Sequence, residues 1–525
     1  MATIFENVLS RAQEPFVNEP ITDFSRPEQR QAQASALEQV KSQLGRTYPL
    51  IIGGKRIQNG QTFASVNPAN PGQIVGYFAS ATPEQVNEAV QAAATTFEHW
   101  RRVPAEERAG YLFAAADLLR QRRFIMNAWM IYETSKSWIE ADADTAEAID
   151  FIEYYARQMV RLAGNQQTLS IESEIDELVY IPLGVGAVIP PWNFPCAITV
   201  GMTSASLVAG NTVILKPAST APAIAAQFVQ ILEDAGLPDG VVNYLTGSGA
   251  VVGDALVDHP AVRFIAFTGS RDVGLRIYER ASKLQPGQHW LKRSILEMGG
   301  KDAVVVDETA DLEAAATGIV ASAFGFQGQK CSAGSRAIIV ERVYDEVLQK
   351  VLEKSRQLTM GDVTQPDTSM GAVIDENAMK KILDYIEIGK NEGRLVLGGK
   401  HEGAGYFIEP TIFADVSPES RIAKEEIFGP VLTVIKAKDY NDALRIANNT
   451  EYGLTGAVYT NDPERIKQAK EDYFVGNLYF NRKCTGALVG IHPFGGFNMS
   501  GTDSKAGGPD YLLLFTQAKS IATKR

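Results

Sequence analysis

The chain has 525 residues, of which 45% are hydrophobic and 21% are charged, and its formal net charge is −12. This length and composition are typical of a globular protein with two or three cores, and the acidic balance argues against nucleic acid or a membrane surface as a partner. Three scattered cysteines are too few for a disulfide framework. No apolar run reaches the length of a membrane span, and the first residues lack the features of an export signal. We therefore expect a cytoplasmic protein.

The first part of the chain is predicted to be largely helical. Residues 1–49 are polar and interrupted by prolines, which indicates a helical segment that covers a domain rather than forming one. A second helical stretch, residues 81–161, begins at Thr82-Pro83-Glu84, where threonine is a good N-cap and proline suits the first turn. Residues 178–190 are rich in Val and Ile and predict a strand.

Strands and helices then alternate in two blocks. Strands are predicted at 212–215, 241–245, 263–267, 303–306 and 337–340, and helices at 221–235, 270–283, 312–326 and 344–358. Strands separated by helices of this length indicate parallel sheets with helices on their faces. We place the boundary between two such domains near Gly299-Gly300. Residues 511–522 predict a terminal strand, of a kind that often pairs with a neighbouring chain.

Two residues are candidates for covalent chemistry. Cys331 lies among glycines in Phe-Gly-Phe-Gln-Gly-Gln-Lys-Cys-Ser-Ala-Gly-Ser, far from any other cysteine, which favours a nucleophile over an inert buried thiol. Glu297, in Glu-Met-Gly-Gly-Lys, is a candidate general base, although a solvent-facing charge is the alternative. The five histidines show no ligand spacing and no obvious pairing with a cysteine. We therefore expect neither a metal site nor a cysteine protease.

Three further motifs lie at predicted strand ends. Gly269 to Gly274 opens a helix after a strand, as phosphate sites do, and a second glycine cluster around Gly249 precedes it. Either turn alone is also compatible with a purely structural role. Lys216 closes a strand at the edge where parallel sheets bind ligands, or is a solvated charge. Asn193, in a proline-locked turn, is a candidate oxyanion donor or a helix cap.

These motifs, in this order, resemble the aldehyde dehydrogenase superfamily. The similarity runs from about residue 50 to the C-terminus and includes Pro-Trp-Asn-Phe-Pro, Leu-Lys-Pro, Phe-Thr-Gly-Ser, Glu-Met-Gly-Gly-Lys, Gly-Gln-Lys-Cys, Glu-Glu-Ile-Phe-Gly-Pro and Pro-Phe-Gly-Gly-Phe. It implies an α/β fold with two Rossmann-type parallel-sheet domains plus a small β oligomerisation element. The implied division is a covering segment (1–49), a dinucleotide-binding domain (50–160 and 181–299), a catalytic domain (300–490) and the oligomerisation element (161–180 and 491–525).

The resemblance also implies the roles of the site residues. Cys331 attacks an aldehyde, Asn193 and the Cys331 amide hold the resulting oxyanion, hydride leaves for a nicotinamide ring, and Glu297 activates the water that hydrolyses the thioester. The implied cofactor-binding residues are Trp192, Lys216, Ser219, Gly249, Gly269, Ser270, Met298, Gly299, Glu426 and Phe428. Many NAD-preferring relatives have glutamate where this chain has Ser219. A serine can donate to a 2′-phosphate, so NADP is expected to be accepted alongside NAD.

Three stretches, residues 326–332, 385–393 and 476–490, are similar to the branch of the superfamily that acts on L-glutamate γ-semialdehyde. For that branch, the implied substrate-binding residues are Ser332, Gly486, Ala487 and Phe494. The expected function is NAD(P)-dependent oxidation of this aldehyde to L-glutamate in proline degradation, by a homo-oligomer built on dimers. The alternatives are a dehydrogenase for another ω-semialdehyde such as succinate semialdehyde, a relative that uses CoA as acyl acceptor, and a catalytically silent scaffold.

Overall fold

The computed structural model describes residues 2–164, 166, 168–169 and 171–525, and side chains from residue 8 onward. The N-terminal part is mostly helical, and its longest helix begins at the cap Ser137, whose side chain accepts from the Glu140 amide. In chain order the elements are α1 (Ala2–Gln13), α2 (Pro27–Lys41), β1 (Arg46–Tyr48), β2 (Leu50–Ile52), β3 (Lys55–Ile57), β4 (Thr62–Asn67), β5 (Asn70–Ala79), α3 (Pro83–Trp100), α4 (Ala105–Gln121), α5 (Arg123–Thr134), α6 (Trp138–Ala163) and β6 (Glu174–Pro182).

A first sheet follows, with helices between its strands. The elements are β7 (Val185–Ile189), α7 (Ala197–Val208), β8 (Thr212–Leu215), α8 (Pro222–Asp234), β9 (Val242–Tyr244), α9 (Asp254–Asp258), β10 (Val262–Thr268), α10 (Arg271–Ala281) and β11 (Arg293–Glu297). This seven-stranded sheet has the order β11-β10-β7-β8-β9-β2-β3. The strands from β11 to β9 are parallel, whereas β2 pairs antiparallel with both of its neighbours.

A second seven-stranded sheet has the order β14-β17-β18-β13-β12-β20-β21 and is parallel except for β14. The elements of this part are β12 (Ala303–Val306), α11 (Leu312–Phe324), β13 (Arg336–Val340), α12 (Tyr344–Ser355), α13 (Glu376–Glu392), β14 (Arg394–Leu397), β15 (His401–Glu402), β16 (Phe407–Ile408), β17 (Thr411–Ala414), α14 (Arg421–Lys424), β18 (Val431–Ala437), α15 (Tyr440–Ala447), β19 (Tyr452–Gly453), β20 (Thr455–Tyr459), α16 (Pro463–Asp472) and β21 (Asn477–Phe480).

The central strands of both sheets are buried on both faces. Every residue of β7, β8, β12 and β13 is buried. Helices cover the two faces of each parallel sheet, so both sets of alternating side chains need an apolar environment. This arrangement confirms the predicted α/β fold with two parallel sheets.

The last part of the chain contributes to two different places. Strand β22 (Phe497–Asn498) pairs with β19, and strand β23 (Thr516–Lys524) pairs with β6 in an antiparallel ribbon. Residues 511–515 form a turn of 3₁₀ helix rather than the start of the predicted strand.

Two details differ from the predicted segments. Residues 46–48, placed in a helical covering segment, form β1 and pair with β5 in a separate three-stranded sheet. Residues 491–508, placed with the oligomerisation element, pack against the end of β11, where the Ser500 carbonyl accepts from the Met298 amide at 2.7 Å. Local composition does not reveal such tertiary pairings. Among the helices of the described ranges, none combines the length and the apolar character that a membrane crossing requires.

Candidate active site

The fold brings the predicted residues of the first domain to one edge of its sheet. Asn193, Lys216, Gly249, Ser270 and Glu297 follow or end the parallel strands β7, β8, β9, β10 and β11, respectively. Because parallel strands end at a common edge, their loops form a crevice there, where such sheets bind ligands.

The second domain presents Cys331 and Glu426 in loops that lead into its strands. Cys331 precedes β13, and Glu426 precedes β18, its neighbour in the sheet. A Cβ atom at Gly300 would collide with the Cys331 carbonyl oxygen and with the Asp302 carboxylate. This glycine therefore allows the Cys331 loop to lie against the chain that continues from the end of β11.

Cys331 is partly exposed, whereas Cys196 and Cys484 are fully buried. Burial raises the pKa of the Cys331 thiol well above its ordinary value, and the carboxylates of Asp302 and Glu297 raise it further. A hydrogen bond from the Ser332 amide acts in the opposite direction. The thiol thus keeps its proton at neutral pH until a base removes it or a positive group stabilises the thiolate.

Asn193 contacts the Cys331 loop directly. Its side chain is buried, and its Nδ2 donates to the Gln329 carbonyl oxygen at 3.0 Å. It does not cap helix α7, because the first helical amide, that of Ala197, donates to Asp144 Oδ1 at 2.6 Å. An amide nitrogen carries two hydrogens, so Asn193 can hold this loop with one and meet a substrate oxygen with the other.

Glu297 ends strand β11 and is bound asymmetrically. One carboxylate oxygen, Oε1, accepts from the Ser504 hydroxyl, and the other has no hydrogen-bond partner in the described part of the chain. Burial raises the pKa of Glu297 to about 8, although hydrogen bonds from Ser504 lower it in part. A carboxylate with a pKa near the working pH is suited to taking a proton from water.

Glu426 connects the loop before β18 to the chain that continues from β11. Its Oε1 accepts from the Gly300 amide at 2.9 Å, and a Cβ atom at Gly299 would overlap its carboxylate. Burial raises the pKa of Glu426. Gly299 and Glu426, both predicted to bind cofactor, are therefore in contact.

Aromatic rings lie between the two sets of loops. The Trp192 ring meets the Phe428 ring edge-on, with 5.5 Å between centroids, and the Phe326 ring at 6.5 Å. Phe428 has a left-handed backbone with φ of 60°. This strained conformation for a bulky residue marks a constrained site.

The remaining cofactor candidates, Lys216, Ser219 and Gly249, lie in the loops that follow β8 and β9, at the same edge of the sheet. Lys216 is buried, its Nζ donates to the Pro217 carbonyl at 3.1 Å, and burial lowers its pKa to about 8. Ser219 Oγ donates to the Gly247 carbonyl at 3.1 Å. A Cβ atom at Gly249 would meet nothing within 4 Å, so packing does not require a glycine there.

Gly269 and Ser270 form the start of helix α10. The Gly269 amide donates to the Glu297 carbonyl at 3.0 Å, which links this turn to the general-base candidate. The Ser270 side chain caps the helix by accepting from the Val273 amide at 3.4 Å. The first turn of α10 follows directly after β10, and helix starts in this position suit a phosphate.

The substrate candidates lie in two segments. Gly486 and Ala487 follow β21, and Arg482 donates to the Gly486 carbonyl at 2.8 Å from a guanidinium nitrogen. The loop is held to the Cys331 segment by Cys484, whose thiol donates to the Ser332 carbonyl at 3.3 Å. Phe494 lies further along the chain.

Phe494 is fixed by paired backbone hydrogen bonds with Ala506, at 2.8 and 2.7 Å. The same segment carries Ser504, which sequence reasoning missed. Its hydroxyl lies in a stretch without periodicity, and only the fold brings it to Glu297.

Residues 56–521 match the model of the aldehyde dehydrogenase family. The chain belongs to this family, as its motifs indicated. It is similar to the 1-pyrroline-5-carboxylate dehydrogenase of Geobacillus kaustophilus (strain HTA426), with 59% identity over 510 residues that cover 97% of this chain and 99% of the relative.

Solved structures of two dehydrogenases have the same fold as this chain. The 1-pyrroline-5-carboxylate dehydrogenase from Thermus with bound NAD has a TM-score of 0.96 and 50% identity, with 98% of this chain and 99% of that chain covered. Betaine aldehyde dehydrogenase from Staphylococcus aureus in complex with NAD⁺ has a TM-score of 0.88 and 27% identity, with 94% and 97% covered.

Proposed function

We propose that this protein oxidises L-glutamate γ-semialdehyde, the open form of 1-pyrroline-5-carboxylate, to L-glutamate. Near full-length similarity to 1-pyrroline-5-carboxylate dehydrogenases supports this substrate. The observation that carries the chemistry is the proximity of a partly exposed thiol, Cys331, to the carboxylate of Glu297. The charge of Glu297 raises the pKa of the thiol, and burial raises the pKa of Glu297 itself to about 8. The pair supplies a nucleophile and a general base for one aldehyde carbon.

NAD fits the edge of the first sheet. Lys216 supports this fit, because its buried ammonium has three N–H donors. One of them binds the Pro217 carbonyl, and this leaves donors for a ligand. The capped start of helix α10 at Ser270 suits a pyrophosphate. The residues proposed to hold the cofactor are Trp192, Lys216, Ser219, Gly249, Gly269, Ser270, Met298, Gly299, Glu426 and Phe428. When bound, the nicotinamide supplies the acceptor for the hydride that leaves the aldehyde carbon. NADP is proposed as a second cofactor because Ser219 places a hydroxyl rather than a carboxylate near the expected ribose.

The protein residues act in a defined order. Glu297, whose charge acts on the thiol, first takes the proton of Cys331 and passes it to solvent. The Cys331 thiolate then attacks the aldehyde carbon, and the Asn193 amide and the Cys331 N–H hold the oxygen as it becomes negative. This oxyanion then re-forms the carbonyl as hydride departs, which leaves a thioester on Cys331. Glu297 takes a proton from water, the water oxygen attacks the thioester, and the acid leaves as the thiolate returns. Overall, the aldehyde and one water give the carboxylic acid, a hydride that goes to the bound nicotinamide and a proton that goes to solvent, so no CoA is needed as acyl acceptor.

The proposed substrate site consists of Ser332, Gly486, Ala487 and Phe494. Gly486 has a φ of 76°, and successive amides in such a turn form a nest for an anion. Arg482 binds the carbonyl side of this turn, which leaves the amides directed to the other side. An α-carboxylate of the substrate suits this position.

The proposed assembly and division of the chain follow the sheets. We assign 50–160 and 181–299 to a dinucleotide-binding domain, 300–490 to a catalytic domain, and the ribbon of β6 and β23 to contact with a second copy. The ribbon supports a homo-oligomer built on dimers, because two strands alone are marginally stable in water.

The first test is formation of NADH from NAD and L-glutamate γ-semialdehyde by the purified protein. We expect turnover by the native protein and its loss in Cys331→Ala, with intact-mass detection of an acyl group on native Cys331 during turnover. Cys196→Ala is the matched control, since this buried cysteine is given no part in catalysis or binding, and it should retain most of the activity. Equal activity with succinate semialdehyde would favour the alternative substrate class, and a fully active Cys331→Ala would contradict the mechanism.

A further inference from the structure

Behind the Asn193 and Cys331 loops lies a buried lysine that the mechanism does not use. Lys136 occupies the short connection between α5 and α6, and its side chain is completely inaccessible to solvent. Its ammonium lies 4.2 Å from the centre of the Phe194 ring and 4.0 Å from that of Phe326. Burial lowers the pKa of Lys136, and the carboxylates of Asp144 and Glu140 act against this by favouring the ammonium. The ammonium lies between two ring faces, where a cation is attracted to the π electrons.

The two rings belong to the two loops whose separation matters for the reaction. Phe194 directly follows Asn193, and Phe326 begins the loop that leads to Cys331. Phe326 has a φ of 49°, in the left-handed region that a bulky residue adopts only when its surroundings enforce it. Lys136 thus contacts both loops from behind.

The neighbours of Lys136 fix the same two loops. Gln327, which follows Phe326, donates from its side chain to the Ser135 carbonyl at 3.1 Å. Asp144, 3.4 Å from the Lys136 ammonium, accepts from the Ala197 amide at 2.6 Å, where the Asn193 loop enters helix α7. The segment around Lys136 therefore binds the Cys331 loop on one side and the Asn193 loop on the other.

Burial of this ion pair costs free energy, because both charged groups lose their contact with water. Both Lys136 Nζ and Asp144 Oδ2 are buried without a hydrogen-bond partner among the described residues. A buried ion pair with incomplete hydrogen bonding is often no more stable than apolar side chains of similar size. Stability alone thus gives no reason for a charge here, whereas attraction to two rings gives a geometric one.

We propose that Lys136 is a positioning residue, whose buried ammonium clamps Phe194 to Phe326 and thereby holds the Asn193 amide against the Cys331 loop. It acts through Asn193 and does not itself touch the substrate. The inference rests on the proposed function, because it concerns the oxyanion formed at Cys331.

The test is a double-mutant cycle on the full-length enzyme with L-glutamate γ-semialdehyde and NAD. Asn193→Ala is expected to lower kcat by about 10²–10³-fold, as for other oxyanion donors. Lys136→Met, which fills the site without charge, is expected to lower kcat by about 10- to 100-fold, since misplaced groups lose rate steeply. The KM for the aldehyde should change less than about threefold, because binding contacts are kept.

The coupling between the two substitutions decides the matter. In the Asn193→Ala background, Lys136→Met should change kcat by less than about twofold, since the donor that it positions is already absent. Equal factors in both backgrounds, or native kcat in the single Lys136→Met variant, would overturn the proposal. Lys380→Met is the matched control, because Lys380 is exposed and pairs with Glu376 on the surface of α13, and it should leave kcat unchanged.

A second variant and the activity of the native enzyme separate failure of the clamp from failure of folding or of the proposed function. If Lys136→Met fails to fold, as judged by circular dichroism and thermal unfolding, Phe194→Leu removes one ring face and enters the same cycle with the same two outcomes. If the native enzyme does not oxidise the aldehyde, the proposed function fails. If the native enzyme is active and the cycle is additive, only the clamp is contradicted.

Discussion

Glu297 has one carboxylate oxygen that accepts from Ser504 and one that is buried without a partner in the described chain. Burial raises its pKa to about 8, and the Ser504 hydrogen bonds limit that rise. Burial destabilises the charged form, and a donated hydrogen bond stabilises it. The balance between these two effects sets the fraction of enzyme that is ready to activate water at a given pH.

Replacement of Ser504 by alanine should shift this balance. The variant loses a donor to the carboxylate, so the pKa of Glu297 should rise by roughly one further unit. The general base acts when deprotonated, so the midpoint of the rise of kcat with pH should lie at a higher pH than in the native enzyme. At pH 7, kcat should fall by about 5- to 10-fold. The measurement is kcat against pH from 6 to 10 with saturating aldehyde.

The control for this profile is Ser420→Ala. Ser420 donates to the Ser417 carbonyl in an exposed turn, so its loss removes a serine hydrogen bond away from Glu297. Its profile should match that of the native enzyme. An unchanged profile in Ser504→Ala, or a shift to lower pH, would show that this serine does not hold the carboxylate in its charged form.

The candidate site could be predicted from the sequence only where a residue lies in its own motif. Cys331, Glu297 and Asn193 each stand in a glycine- or proline-rich turn whose composition indicates an unusual loop. Ser504 and Lys136 lie in ordinary stretches, and their importance comes from contacts made by distant parts of the chain. Such contacts depend on tertiary packing, which local pattern does not encode.

At the scale of elements, parallel strands such as β12 and their helices were predictable because both have a clear length and apolar pattern. The segment Gly249–Gly253 was not, since it forms one turn of π-helix, a rare conformation often found at functional sites. This turn follows β9 and lies next to the loop after β8. The hydrogen bond from Ser219 to the Gly247 carbonyl connects the two loops at the sheet edge.

This pair of loops determines the expected choice of cofactor. Ser219 carries a rotatable hydroxyl that can leave the Gly247 carbonyl and donate to a 2′-phosphate, so the native enzyme should use NADP with a kcat/KM within about a thousandfold of that for NAD, or roughly 4 kcal/mol. Ser219→Glu should lower kcat/KM for NADP at least tenfold and leave that for NAD largely unchanged, because a carboxylate repels the phosphate. Steady-state kinetics with both cofactors measure the ratio.

The neutral variant Ser219→Ala separates charge from hydrogen bonding. It removes the donor without adding a carboxylate, so it should reduce NADP use by less than Ser219→Glu does. If NADP turnover by the native enzyme is more than a thousandfold poorer, or if both variants alter the two cofactors equally, Ser219 does not distinguish between them.

For the whole molecule, the two parallel sheets meet where the chain passes from Glu297 to Ala303. Short side chains are required there, because Gly299 faces the Glu426 carboxylate and Gly300 faces the Cys331 carbonyl. The first sheet contributes the ends of its strands to the candidate site, and the second contributes the loops before β13 and β18 together with the segment after β21. The two halves of the reaction are thus brought together by one glycine-containing connection.

The ribbon of β6 and β23 is separate from both seven-stranded sheets, and Thr516 is its one buried residue. Its two outer edges carry backbone groups that suit pairing or covering by another chain.

Removal of residues 517–525 should therefore reduce the molar mass in solution, measured by size-exclusion chromatography with light scattering, to that of a smaller species. The truncated chain keeps the carbonyls of Leu513, Leu514 and Thr516 that bind Arg293 at the start of β11, so its far-ultraviolet circular dichroism should stay close to native. Lys524→Gln, at the end of the same strand, should retain the native mass, and a truncated chain of native mass would show that contacts elsewhere hold the assembly.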